Sequence, residues 1–255
     1  MPEPPLPPDP PPRPARPGAE RRRRSWWLGV ALLAVLPSLG TLSAPLVAED
    51  AGILGHVHRH GAWEDWVGPQ YGLHLLAFWR PVVSASWWLQ EAISGVDPLP
   101  LRAVNLLCHA LAAVVVGLVA RRAGAGALGA LAAGGLAAVF PEQGGTVTWA
   151  AGRTDGIVSL GMALACLAVL ARRPAAAFAA AFLACATKEF AFALPVWAAA
   201  LLLAKGSPRI ERRRDLWRGL APLCAAVGIA LVSRRLALGA WGGGYLAGAS
   251  RGGLL

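Results

Sequence analysis

The feature that most limits what this chain can fold into is its succession of long apolar segments, with short basic clusters between several of them. Residues 26–47, 101–120, 123–140, 156–171, 175–204 and 220–238 are dominated by Ala, Leu and Val. Most reach or approach the roughly 20 residues that cross a hydrocarbon core. Without water, backbone N–H and C=O groups must be satisfied inside each segment, so such runs are helices. No two-residue alternation competes with that reading. The chain is 56% hydrophobic and 15% charged, whereas a soluble domain carries about 25% charged residues. The expected fold class is therefore all-α: a polytopic transmembrane helical bundle.

A formal charge of +10 raises nucleic acid as a partner. The arginines instead fall between apolar runs, as they do in cytoplasmic loops, and no nucleic-acid-binding module is present. No nucleic-acid partner is expected. Cys108, Cys166, Cys185 and Cys224 all lie inside apolar runs without CxxC spacing. They read as small buried apolar residues rather than as a zinc site or disulfide framework.

The basic clusters order the topology. Residues 1–24 form a Pro- and Arg-rich segment that cannot bury a core, expected to be a disordered cytoplasmic tail. The apolar run that follows is too long for a signal-peptide core and reads as an uncleaved first span. Arg121–Arg122 and Arg172–Arg173 close the second and fourth spans on the cytoplasmic side. The loop from residue 48 to about 100 is too long to be structureless. Within it, residues 84–93 suit an interfacial helix with Trp87 and Trp88 towards lipid. Residues 175–204 are flanked by basic clusters at both ends and interrupted by Lys188–Glu189. Two ends on one side require a hairpin, with Lys188–Glu189 at its tip. Its arms, about 12 and 15 residues, fall short of a full crossing, which sets the tip near lipid-phosphate depth. The count comes to about seven spans, making one membrane module of residues 25–238. Residues 239–255 form a Gly-rich outer loop expected to lead into further chain.

Several polar groups stand at the outer ends of these spans. Glu49–Asp50 is either a solvated boundary or a carboxylate pair serving as general base or metal ligand. Glu142, Trp149, Arg153 and Asp155 lie in the loop after the third span. Arg153 is either half of an Arg–Asp surface pair or a phosphate clamp, for which its planar fork is suited. Lys188 is a second candidate cation with Glu189 as partner, and ionisable groups at membrane depth are functional candidates. Asn105 and His109, four residues apart, share one helix face, where interhelical hydrogen bonding is the plainer account. His56, His58 and His60 alternate and would serve as metal ligands only in a strand-like geometry.

Taken in order, these pieces resemble the GT-C class of polyprenyl-phosphate-sugar glycosyltransferases, in particular the transmembrane-and-tetratricopeptide-repeat O-mannosyltransferase group. The likeness covers residues 26 to about 245. Glu49–Asp50 is similar to that group's first-loop acidic pair, and Trp79, Arg80 and Pro81 to its aromatic-Arg-Pro motif. Asn105 and His109 match its Asn and His one helical turn apart. Pro141, Val147, Trp149, Gly152, Arg153 and Asp155 fall at the spacings of its second-loop motif. Lys188, Glu189, Leu194 and Pro195 match its short-hairpin motif. There are two departures: Glu49 stands where Asp is usual, and Gly145 replaces the loop Glu, a role Glu142 is placed to assume.

The resemblance implies a GT-C-like module that transfers a sugar, mannose for example, from a polyprenyl-phosphate donor to a protein or glycan hydroxyl, with inversion. Asp50, ahead of Glu49, would take the hydroxyl proton. Arg153, Lys188 and Arg80 would stabilise the departing phosphate, with Glu142, Asp155, Glu189, Asn105 and His109 in support. A divalent cation (Mg or Mn) is an optional cofactor. The site would face the periplasm or exterior of a bacterial inner membrane, in contact with membrane lipid. Two rivals remain: transfer to a lipid or envelope polymer, and a multi-span transporter or flippase.

Overall fold

A computed structural model describes residues 26–47, 49–72, 78–140, 143–204 and 209–241, without the side chains of Gln143 and residues 209–212. The tail at 1–24, Pro141, Glu142, Lys205 and the Gly-rich stretch from 242 lie outside the described residues.

The described chain is helical throughout, with no strand. α1 (Trp26–Val35) continues as a 3-10 turn over Leu36–Thr41. The first long loop holds α2 (Asp50–His60), α3 (Glu64–Val67) and α4 (Pro81–Ser94). Next come α5 (Pro98–Arg122), α6 (Ala127–Val139), α7 (Gln143–Thr148) and α8 (Arg153–Leu170). The chain finishes with α9 (Pro174–Cys185), α10 (Leu194–Ala204) and α11 (Arg209–Leu238).

Local chemistry sets the helix ends. Asp97 caps α5 by accepting from the Leu99 N–H at 2.9 Å, and Pro98 occupies the first turn, where its missing N–H costs nothing. Arg121 and Arg122 close the same helix at its negative dipole end. Pro81 and Pro174 likewise open α4 and α9.

α5 is the central post, packed against α1, α6 and α8, while α9 bridges α8 to α11. One core gathers Val30, Ala34, Ala113 and Ala138 between α1, α5 and α6. A larger one joins Val169, Ala181, Leu194 and Leu223 across α8 to α11. Alanine and glycine let these helices approach closely: a Cβ on Gly134 would stand 2.9 Å from the Ala113 carbonyl oxygen. The outward faces are apolar, with Leu128 and Leu236 both 79% exposed. Among the described residues three helices are long and apolar enough to cross a membrane: Pro98–Arg122, Ala150–Leu170 and Arg213–Leu238. The apolar helices Trp26–Thr41, Ala127–Val139, Pro174–Cys185 and Glu189–Ala204 are shorter.

Two expectations are altered. The helix expected at 84–93 exists as α4, but it does not turn its tryptophans together to one surface. Trp87 is fully buried, whereas Trp88 and Leu89 are exposed. The three alternating histidines lie on α2 and not on a strand, and each takes a different carboxylate. His56 lies 3.3 Å from Asp65, His58 2.6 Å from Glu91 and His60 3.0 Å from Glu64.

Candidate functional site

The loop helices, the start of α8 and the tip of the α9–α10 hairpin meet at one end of the bundle. They enclose a polar cavity of about 530 Å³. Its wall includes Glu49, Arg59, Arg80, Trp149, Asp155 and Lys188, residues from four separate stretches of sequence.

The hairpin tip is built as its sequence suggests. α9 ends at Cys185, Lys188 is extended (φ −158°, ψ 143°), and a 3-10 turn over Glu189–Ala193 starts the return arm. The Val82 N–H donates to the Ala186 carbonyl at 3.2 Å, stitching the start of α4 to this tip. The ion pairs differ from those expected. Lys188 donates to Asp155 on the first turn of α8. Its chain neighbour Glu189 instead accepts from Arg80 at 3.0 Å, with Arg234 3.9 Å from its other oxygen. Neither an Arg153–Asp155 nor a Lys188–Glu189 pair forms among the described residues. Arg80 also lies over the Phe78 ring, 4.0 Å from its centroid.

Arg153, expected to clamp phosphate, does not face the cavity. It is fully buried, stacked on Trp87 with its guanidinium carbon 4.4 Å from the ring centroid. Its nitrogens donate to Asn105 Oδ1 (3.2 Å), the Ser86 carbonyl (3.2 Å), the Leu101 carbonyl (3.0 Å) and Gln90 Oε1. Four of its five N–H groups are taken by protein, so Arg153 locks α4 against α5 and α8. Asn105 completes the lock by donating to the carbonyls of Thr146, Trp149 and Ala150 at 3.0–3.2 Å. His109 bonds the Ala138 carbonyl at 3.1 Å. Both residues take the interhelical role that was their plainer reading.

The acidic pair divides in the same way. Asp50 is fully buried at the start of α2 and accepts the Val47 and Ala151 N–H groups, each at 3.0 Å. It pins the end of the first apolar run to the loop before α8. Glu49 is exposed and lines the cavity. Of the pair, Glu49 stands on the cavity wall and Asp50 lies buried behind it.

Gly152 explains why a glycine opens the Gly-Arg-x-Asp stretch. A Cβ there would lie 2.5 Å from the Gly145 carbonyl oxygen and 2.8 Å from the Thr146 Cα, both backbone. Bare backbone is required for α7 to fold over the start of α8.

Sequence reasoning passed over several groups. Arg102 is buried and donates to the carbonyls of Thr148 (2.8 Å), Pro45 (2.6 Å) and Ala44. Asp65 is buried and accepts from Ser84 and from the Tyr71 N–H at 3.1 and 3.2 Å. Burial, with Asp65 beside it, pushes the Tyr71 phenol above its ordinary range. Glu49, Ile53, His56 and His60 face the cavity at helical spacing, a 3.6-residue signal that the eye misses when it follows the alternating histidines.

Apolar outward faces around a bundle, with a charged cavity at one end, define a membrane-associated helical protein with a polar site at the end of its spans. The comparisons narrow the class. No protein-family model matches the chain, and no solved structure matches it. The chain is similar to Protein O-mannosyl-transferase Tmtc1 of Drosophila melanogaster, 33% identical over 136 residues. That match covers 50% of this chain but 16% of the fly protein. It supports a relationship to the O-mannosyltransferase group.

Proposed function

We propose that this chain is the GT-C-like membrane module of a glycosyltransferase that moves a sugar from a polyprenyl phosphate to a hydroxyl of a protein. One observation carries the reading: an exposed carboxylate, Glu49, shares a cavity with Lys188, Arg80 and Arg59 at the end of apolar helices. A lipid-phosphate sugar needs that combination, with cations for the phosphate, a base for the acceptor and apolar surface for the lipid. The similarity to Tmtc1 supports the same choice.

The chemistry is a single displacement. The acceptor oxygen bonds to the anomeric carbon as the bond from that carbon to the phosphate oxygen breaks. The hydroxyl proton passes to Glu49 and the polyprenyl phosphate leaves as an anion, held by Lys188 and Arg80. Attack opposite the leaving group inverts the anomeric carbon. A Mg or Mn ion remains an optional addition to this scheme.

The shorter apolar helices complete a bundle of about seven crossings if the α9–α10 hairpin enters and returns on one side. Basic clusters then lie in the cytoplasm and the cavity faces outward, in a bacterial inner membrane. Membranes holding the full chain, given a radiolabelled polyprenyl-phosphate sugar and membrane proteins, test the reaction. Label should move to protein with inverted anomeric configuration. Transfer to lipid or envelope polymer would change the acceptor, and donor movement across the bilayer without transfer would replace the enzyme by a flippase.

A further inference from the structure

The opposite end of the bundle carries a second concavity. α8 runs from one end to the other: its 18 residues cover roughly 25 Å at about 1.5 Å per residue. Between the α8–α9 turn and the first half of α11 lies a cavity of about 280 Å³ lined by Arg172, Arg173, Asp215 and Arg218. Val169, Leu170, Leu202 and Pro222 give it apolar walls. Arg172 donates to Asp215 at 2.9 Å. Arg173 and Arg218 are exposed, and neither meets a carboxylate among the described residues. A solvated basic cluster on a cytoplasmic loop would present its charges on an open surface. Here they rim an apolar hollow.

We infer that this cavity binds the headgroup of an anionic glycerophospholipid. A phosphodiester fits the guanidinium fork of Arg173 or Arg218, and the apolar walls suit the glycerol ester region below it. Arg173 also borders an apolar groove of about 610 Å³ between α8 and α9, which offers an acyl chain a path along the bundle. Pro222 has no N–H to give the Arg218 carbonyl one turn earlier. That carbonyl, on the turn that lines the hollow, lacks its usual intrahelical donor.

The hollow is held in shape by the backbone on two sides. A Cβ on Gly219 would stand 2.9 Å from Val169 Cγ1 and 3.0 Å from Leu202 Cδ1, so glycine keeps α11 close to both. Arg172 sits at φ +56°, a left-handed conformation costly for a residue with a Cβ. That turn places Arg172 against Asp215 and leaves Arg173 at the rim. The inference requires the bundle to lie in a bilayer but does not depend on sugar transfer.

The test is native mass spectrometry of the full chain released from nanodiscs holding equal phosphatidylglycerol and phosphatidylcholine of identical acyl chains. One phosphatidylglycerol should be retained per chain in preference to phosphatidylcholine. Arg173→Gln with Arg218→Gln should reduce that preference by about tenfold or more, while Arg213→Gln, exposed on the same helix, should keep most of it. Equal retention of the two lipids would overturn the proposal, as would an equal loss in all variants. Competition by soluble glycerol phosphate as effective as by the lipid would overturn it too, by showing a phosphate site without lipid. Should the double variant fail to fold, hydrogen exchange on the unmodified chain decides. Phosphatidylglycerol should slow exchange at 169–177 and 215–222 relative to phosphatidylcholine, and no difference there would refute the site.

Discussion

Lys188, at the tip of the α9–α10 hairpin, pairs with Asp155 on the first turn of α8 and not with its chain neighbour Glu189. The pairing crosses from one helix to another at the cavity wall. It leaves Arg80 to Glu189 and sets two cations, each tethered by its own carboxylate, on the same cavity.

That arrangement predicts unequal losses. Lys188→Ala removes a charge proposed to stabilise the leaving phosphate, so sugar transfer should fall about 10²–10³-fold, as when one stabilising donor is lost. Asp155 has a half-exposed side chain, and exposed pairs contribute no more than about 1 kcal/mol. Asp155→Asn should therefore cost less than about tenfold. Initial rates in membranes at matched protein levels measure both, and a larger loss in Asp155→Asn would shift the functional charge to the carboxylate.

Gly152→Ala should damage the fold around the site before it damages chemistry. The added methyl would overlap the backbone of Gly145 and Thr146, which cannot swing aside as a side chain can. Overpacking of this kind costs about 1–3 kcal/mol. A lower melting temperature in detergent, with loss of the Asp50–Ala151 link, is the expected outcome. Gly144→Ala is the control, because nothing lies within 4 Å of a Cβ there, and it should melt with the parent.

These contacts also show what the sequence could and could not reveal. Apolar runs are legible because lipid crossing demands length and composition, both local properties. The hairpin tip is legible because Lys188–Glu189 interrupts an otherwise apolar stretch. The division of labour within Glu49–Asp50 is not, because Asp50 is claimed by an N–H 101 positions away. Arg153 is hidden for the same reason: its acceptors lie 48 to 67 positions earlier. Nothing beside Arg153 in the chain distinguishes a buried brace from a phosphate clamp.

The brace makes its own prediction. Arg153→Ala would leave Gln90, Asn105 and two carbonyls without their charged donor inside the protein. Hydrogen bonds to a charged group are worth about 1.5–3 kcal/mol, so the variant should lose folded protein. If it can be recovered, its affinity for the donor should resemble the parent's, unlike that of Lys188→Ala. Thermal unfolding and donor binding by isothermal calorimetry, measured side by side, separate the two. A fully stable Arg153→Ala with weakened donor binding would return Arg153 to the phosphate.

Tyr71 carries a pH prediction. Its ordinary pKa is 10.0, and burial followed by the Asp65 charge raises it in the folded state. Above pH 10 the unfolded chain releases this proton while the folded chain keeps it, so unfolding becomes more favourable as pH rises. The contribution is complete below the unfolded pKa and is lost at higher pH. Absorbance at 295 nm should show Tyr71 still protonated above the ordinary phenol range. Tyr71→Phe should remove the late step and flatten the alkaline loss of stability. An unchanged late step in Tyr71→Phe would assign it elsewhere.

The decisive comparison is between the two neighbouring carboxylates. Glu49 is exposed at the cavity, whereas Asp50 is buried and bonded through both oxygens to backbone N–H groups. Glu49→Gln keeps the size and removes the proton acceptor, so turnover should drop about 10²–10⁴-fold with an unchanged melting temperature. Donor binding should persist, since the phosphate is assigned by the proposal to Lys188 and Arg80. Asp50→Asn retains one acceptor oxygen but presents an amide to the other N–H, which is then unsatisfied. That should cost about 1–3 kcal/mol of stability and lower turnover through misplacement of α2. The two effects part on rescue: lower temperature or added donor should restore much of the Asp50→Asn activity and none of the Glu49→Gln activity. A stable, inactive Asp50→Asn beside a near-normal Glu49→Gln would reverse the assignment and make the buried carboxylate the base.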